Sequence, residues 1–134
     1  MIKILFKLFK SIYVKHLDKK VEEYYNVYHF NMDPNHTSYN NEGDAFKHTY
    51  MSAELTLWLG AEASRKIGVL QEDSNPYNTE AERHMDLHND EVGIAIGVSV
   101  KENYNIFILL FKYDDIIAEK VMDEMNKGNL ITSV

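Results

Sequence analysis

The sequence predicts a mainly α-helical fold, a compact helical bundle-like domain led by a basic amphipathic N-terminal helix, and three observations carry that reading. Apolar residues between 44 and 58 recur at three- and four-residue steps, Thr79 stands three residues ahead of Glu82 before a second periodic run, and a third run closes on Lys127-Gly128. Such steps lay side chains along one face of a helix, the Thr-x-x-Glu spacing closes a capping box, and Gly after a basic last turn is a helix stop. With 134 residues, 45% of them hydrophobic, the chain is long enough for one real core and too short for two.

Residues 1–30 make the first element. Ile4, Phe6, Leu8, Phe9, Ile12 and Tyr13 alternate with Lys3, Lys7, Lys10 and Lys15, the pattern of a basic amphipathic helix. No run reaches the roughly 20 apolar residues of a bilayer span. Lysines interrupt the apolar region and no small-residue cleavage site follows, which argues against a secretory signal. The first twenty residues carry a net charge of +5 and the remainder −12. An anionic membrane surface or a host protein, met through residues 1–20, suits that arm. Nucleic acid does not suit the acidic body, because phosphate binding needs clustered Lys and Arg. Tyr24, Tyr25 and Tyr28 mark either a contact face at the end of the arm or part of a core.

Residues 31–43, NMDPNHTSYNNEG, read as a loop, so the arm (1–30) is expected to be followed by a single helical domain (40–134). Its first helix places Asp44, His48, Met51, Leu55 and Trp58 on one face, with Phe46, Tyr50, Ala53 and Leu57 beside it. Gly60 is expected to bend this helix before AEASRKIG continues to a stop at Gly68. VLQEDSNPYN then forms a loop with a rigid turn at Asn75-Pro76. The helix after Thr79 carries the stripe Ala81, Met85, His88, Val92 and Ala95 and a second set, Leu87, Ile94 and Val98, so it is wrapped on more than one side and central. IFILLF, at 106–111, reads either as a strand, one of a short strand pair near the C-terminus, or as a buried helical piece. The closing segment DDIIAEKVMDEMNKGNL is a helix whose acids at the start and lysine at the end match its dipole.

The chemistry concentrates in RHMDLHNDEVG, residues 83–93. No cysteine is present, which excludes disulfides, thiolate metal sites and a Cys nucleophile and leaves His and carboxylates as reactive groups. His48 and His88 each occupy an apolar stripe, and an unpartnered buried polar group costs about 1–3 kcal/mol, so something must meet them. Asp44 approaches His48 from one turn away, and Asp86 and Asn89 share a face of the other helix. Asp86 and His88 stand about 200° apart on an ideal helix, which weakens them as adjacent ligands of one ion. Two readings stay open. His48, His88 and carboxylates converge as acid, base and orienting partner, or as ligands of a divalent metal; or a buried His–Asp–Asn network fixes how two helices cross. His84, four residues before His88, completes a pair that could hold a metal on one helix face. The HEXXH, phosphate-loop and GXSXG patterns are all absent.

With GDAFKHTYMSAE, the Asn75-Pro76 pair, ERHMDLHNDEVG and the ending MNKGNL in view, the chain resembles an uncharacterised family of small bacterial and phage proteins and of C-terminal domains of toxin-like polypeptides, over about residues 42–131. Its motifs look like G-D-A-F-R-H-A-Y, a loop with A-H-E, an N-P, and M-D-L-H-N-N-x-x-G. The resemblance singles out Asp44, His48 and Tyr50, then Met85, Asp86, His88, Asn89 and Gly93, and leaves the arm outside. Lys47 stands where Arg is usual, and Leu70-Gln71-Glu72 stands where A-H-E would, keeping the acid and losing a histidine; if that histidine is a ligand or base, the resemblance implies either an impaired site or one that uses His84 instead. It implies a centre with His48 as base or metal ligand, Asp44 orienting it, His88 and Glu72 completing it, and Asp86, Asn89 and Tyr50 around them. A divalent metal would fall to His48, His88 and Asp44, with His84 as a further candidate. The expected function is hydrolase-like, on an ester or phosphoester, in a phage or bacterial effector, cytoplasmic or membrane-peripheral in a bacterial host. The alternative is a non-enzymatic interaction protein that works through its basic arm, the His/Asp cluster being structural.

Overall fold

The structure, a computed structural model, describes residues 2–30 and 41–134, apart from the side chains at 2, 3, 5, 6, 8–14, 106 and 109–111. Most of the apolar face expected of the arm, and residues 31–40 of the loop expected at 31–43, therefore lie outside the described residues, while Glu42 and Gly43 of that loop are already helical. Among the described residues five helices follow one another: α1 (Ile2–Tyr28), α2 (Glu42–Leu59), α3 (Ala61–Asp73), α4 (Glu80–Asn103) and α5 (Ile106–Asn126). The mainly α fold is as expected. No helix among the described residues is long and apolar enough to cross a membrane. The chain divides into two compact units, Met1–Phe30 and Asn31–Val134.

The first unit is α1 alone. It ends at His29, which takes the left-handed conformation at φ 53° and turns the chain as a residue beyond a helix C-terminus commonly does. Within this unit the Tyr24 and Tyr28 rings stack at 5.9 Å, and Tyr25 meets Phe30 edge-on at the same distance.

In the second unit, Asn41 caps α2 by accepting the Asp44 N–H on Oδ1 at 3.1 Å. Gly60, at φ 93°, then ends α2 and begins α3, its N–H donating to Thr56 O and its carbonyl accepting from Ser64. The expected stop at Gly68 does not occur, and α3 runs on to Asp73, through the first half of the segment expected to be a loop. Gly68 is needed for space instead: a Cβ there would sit 2.6 Å from Asp90 Oδ2. The turn at 75–78 forms as an Asx turn, with the Tyr77 N–H donating to Asn75 Oδ1 at 3.1 Å.

The Thr79–Glu82 capping box is present and starts α4. IFILLF resolves as helix, not strand, because Asn105 caps it through the Ile108 N–H at 3.0 Å and it becomes the opening of α5. As a consequence α5 has no acid in its first turn, and the dipole match expected for a later start is lost. Its C-terminus closes on Gly128 (φ 79°) in a Schellman motif, with Gly128 N–H to Met125 O and Asn129 N–H to Glu124 O.

The core gathers Phe46, Tyr50, Ala53 and Leu57 of α2, Met85, Ile94, Ile96 and Val100 of α4, and Ile117, Ala118 and Val121 of α5. On α4 the stripe expected to be buried is largely not: Ala81, His88 and Ala95 are exposed. The buried face runs through Met85, Asp86, Asn89, Asp90, Gly93 and Gly97. The two glycines bring α4 against the α2 backbone. A Cβ on Gly93 would overlap the Thr49 carbonyl and lie 2.8 Å from Ser52 Cβ, and one on Gly97 would lie 2.6 Å from both the Ala53 carbonyl oxygen and Thr56 Cβ.

Replacing Gly by Ala inside an exposed helix would stabilise it by about 1 kcal/mol. Gly93→Ala and Gly97→Ala are expected to do the opposite, each lowering the free energy of urea unfolding by about 1–3 kcal/mol through overpacking. An unchanged or higher unfolding midpoint would show that these backbones are not in contact.

Candidate functional site

The close approach of α2 and α4 places one imidazole among carboxylates. Asp44 and His48 stand one turn apart on α2, and Asp86 and Asp90 one turn apart on α4, so each pair shares a helix face. His48 Nε2 lies 3.5 Å from Asp44 Oδ1 and 3.3 Å from Asp86 Oδ1, while Nδ1 lies 3.4 Å from Asp90 Oδ1. The two ring nitrogens thus face different partners. Glu72 of α3 is buried beside Asp86, with the Asn78 amide donating to its Oε2.

Burial lowers the His48 pKa, but Asp90 first, then Asp86 and Asp44, more than reverse this and raise it to about 9. Burial and the neighbouring Asp86 push Glu72 up to about 7. Asp86 is itself raised, by burial first and by Asp44 and Asp90, against the opposing pull of His48. Asp86 Oδ1 is fully buried and no donor among the described residues is aligned on it, although His48 Nε2 is close. The ring and the carboxylate are in charge contact without a directed hydrogen bond. One ligand atom each from Asp44, His48 and Asp86 lies within 4.8 Å of the other two, a spacing that a single metal ion could bridge.

Of the residues expected in the centre, Asp44, His48 and Glu72 are brought together, and Asp86 is a direct member rather than a bystander. His88 does not belong: it is exposed, and its Nε2 sits 2.8 Å from the Asn129 carbonyl oxygen. The 200° separation from Asp86 along α4 has its expected effect. Asn89 also serves another purpose. Its amide donates to Ile131 O and its Oδ1 accepts the Ile131 N–H, both at 2.9 Å, clamping the C-terminal segment to α4. His84 is exposed, its ring 6.4 Å from that of His88. Gln71, where the resembling pattern has His, is exposed as well. Tyr50, two residues beyond His48, points round the helix to α5, where its hydroxyl donates to Asp114 Oδ1 at 3.2 Å.

Two acids escaped the sequence reading. Asp90 was legible as the residue four beyond Asp86 on the same face. Glu54, inside an apolar run, had no such signal; it is wholly buried, and neither carboxyl oxygen has an aligned partner among the described residues. Burial, with Asp114 next, raises its pKa to about 9.

The chain belongs to the family of a domain of unknown function (DUF6973), whose model matches residues 4–129. The matched range takes in most of the basic arm, which the motif resemblance had left outside. No curated protein and no solved structure matches the chain.

Glu54 yields a pH test. Its folded pKa lies above the unfolded value of 4.5, so the folded state holds a proton that the unfolded state releases, and stability falls as pH rises from about 4.5 through about 9. Glu54→Gln keeps the shape without the titration. Its melting temperature is expected to gain on the unsubstituted protein between pH 5 and pH 9; a constant difference would place the raised pKa elsewhere.

Proposed function

We propose that this chain is a metal-assisted hydrolase-like domain acting on an ester or phosphoester, with Asp44, His48 and Asp86 holding a divalent cation. The observation that carries the reading is the buried, donorless Asp86 Oδ1 facing His48 Nε2 within the three-residue cluster. A buried carboxylate oxygen without a donor is strongly destabilising, and several carboxylates in one buried place more so, unless a proton or a cation neutralises them. The protonated His48 answers only part of that charge.

The placement of Asp90 supports the same reading. Ligating histidines characteristically donate their second ring N–H to a carboxylate, which fixes the tautomer and the ring plane. With Nδ1–H directed at Asp90, the Nε2 lone pair faces Asp44 and Asp86. One imidazole with carboxylate oxygens suits a borderline or hard ion such as zinc, manganese or iron. Such an ion polarises a carbonyl or phosphoryl oxygen and lowers the pKa of bound water. Glu72, beside the ligands, is placed to accept a proton from a reacting water. The effector context in a bacterial host is part of this proposal and rests on the motif resemblance.

A competing reading is favoured by the raised His48 pKa: an imidazolium ringed by carboxylates, purely structural. Metal content separates the two. The untagged protein is expected to carry near-stoichiometric divalent metal and to melt lower after chelator, by the equivalent of about 2.7 kcal/mol where free metal had exceeded Kd a hundredfold. His48→Ala and Asp86→Asn should lose both the metal and the chelator response, and His48→Ala should lose hydrolysis of ester substrates. A metal-free protein indifferent to chelator would leave the structural network as the answer.

A further inference from the structure

The helix that covers this centre is held differently from the others. The buried residues of α3 are Ser64, Gly68 and Glu72, one stripe at four-residue spacing. It contributes no residue to the buried hydrophobic core, and Leu70 is 56% exposed. By contrast α2 and α4 bury large apolar side chains along their length. Its apolar Ala63, Ile67 and Val69 are only half-buried, and its buried contacts are polar. Ser64 Oγ donates to the Ser52 carbonyl oxygen at 3.1 Å, Gly68 lies against Asp90, and Glu72 lies against Asp86. At the two ends, Arg65 forms a two-bond ion pair with Glu91, and Arg83 pairs with Asp73, both on the surface.

Exposed ion pairs contribute about 0–1 kcal/mol each and weaken with salt. A helix without a buried apolar stripe lacks the main source of helical stability in proteins, and local opening is expected where apolar burial is least. Both ends of α3 permit movement. Gly60 at φ 93° has nothing within 4 Å of where a Cβ would be, and the other end leads into the exposed residues 73–77. Beneath α3 lie the buried carboxylates of the centre.

We infer that α3 is a cover over the His48 centre that a divalent cation locks shut, with Glu72 as the residue through which it does so. This rests on the metal reading above. Opening admits the ion and the substrate's reacting group; with the cation in place, the Glu72 carboxylate is attracted down beside Asp86 instead of repelled by it, and the helix that carries it closes.

The test is amide hydrogen exchange of the full chain, stripped of metal with chelator and then titrated with Mn²⁺, whose binding is followed separately by calorimetry. Without metal, amides of 64–73 are expected to exchange roughly tenfold or more faster than those of the α2 and α4 cores, and faster still at 0.5 M than at about 0.05 M NaCl. Mn²⁺ should slow α3 by roughly tenfold or more. Glu72→Gln, shown to be folded by its α4 protection, should still bind Mn²⁺ while losing the protection of α3. Arg65→Gln gives a second variant, outside the buried centre, that should speed α3 exchange and leave Mn²⁺ affinity unchanged. Exchange of α3 as slow as that of α4 without metal would overturn the cover. Mn²⁺ binding that leaves α3 unprotected, or full protection in folded Glu72→Gln, would overturn the lock and spare the metal reading. Absence of Mn²⁺ binding would overturn both.

Discussion

The contact on which the rest depends is that of α4 with the α2 backbone at Gly93 and Gly97. Two missing side chains, one turn apart, let two long helices approach more closely than any larger residue allows. The approach sets the depth at which Asp86 and Asp90 meet His48. A wider crossing would leave the same five polar residues as ordinary surface groups. The charged centre is therefore a product of steric absence as much as of the residues in it, and the glycines and acids of DLHNDEVGIAIG act as one design along a single helix face.

That dependence explains what could be read in advance. Helix type, the cap at Thr79 and the pairing of Asp44 with His48 were legible, because they are local and follow from three- and four-residue spacing. The face of α4 was misread for a physical reason: its buried side is made of Asp, Asn and Gly, which an apolar count assigns to solvent. Gly68 misled in the same way. Its lack of a side chain resembles a helix stop, but the requirement is set by Asp90 on another helix, and nothing in the local sequence records it. His88 looked buried because it sits at an apolar step, whereas its partner is a backbone carbonyl 41 residues on.

Helix α2 carries two polar populations on different faces. Asp44 and His48 look toward α4, while Tyr50 and Glu54 look toward Asp114 of α5. Both place carboxyl groups where solvent does not reach, yet the means of neutralisation differ. Around His48 several carboxylates share one imidazolium, which cannot balance them all, and in the proposed function a bound cation would supply the rest. At Glu54 a single proton suffices, and burial keeps it there. One helix thus presents a cluster of carboxylates around an imidazole on one face and a protonated, buried Glu54 on another.

The clamp between Asn89 and Ile131 bears on how such a chain can vary. Asn89 reads only the peptide group of residue 131, donor to acceptor and acceptor to donor, as a neighbouring strand would. The side chain at 131 is indifferent to that pairing, but the distance in residues from the Schellman turn at Gly128 is not. Substitutions of the side chain at 131 should leave the pairing intact, while a single insertion after Gly128 would put the wrong peptide, facing the wrong way, opposite the amide. The tail is indexed by counting rather than by identity, and the asparagine of the motif is what does the counting.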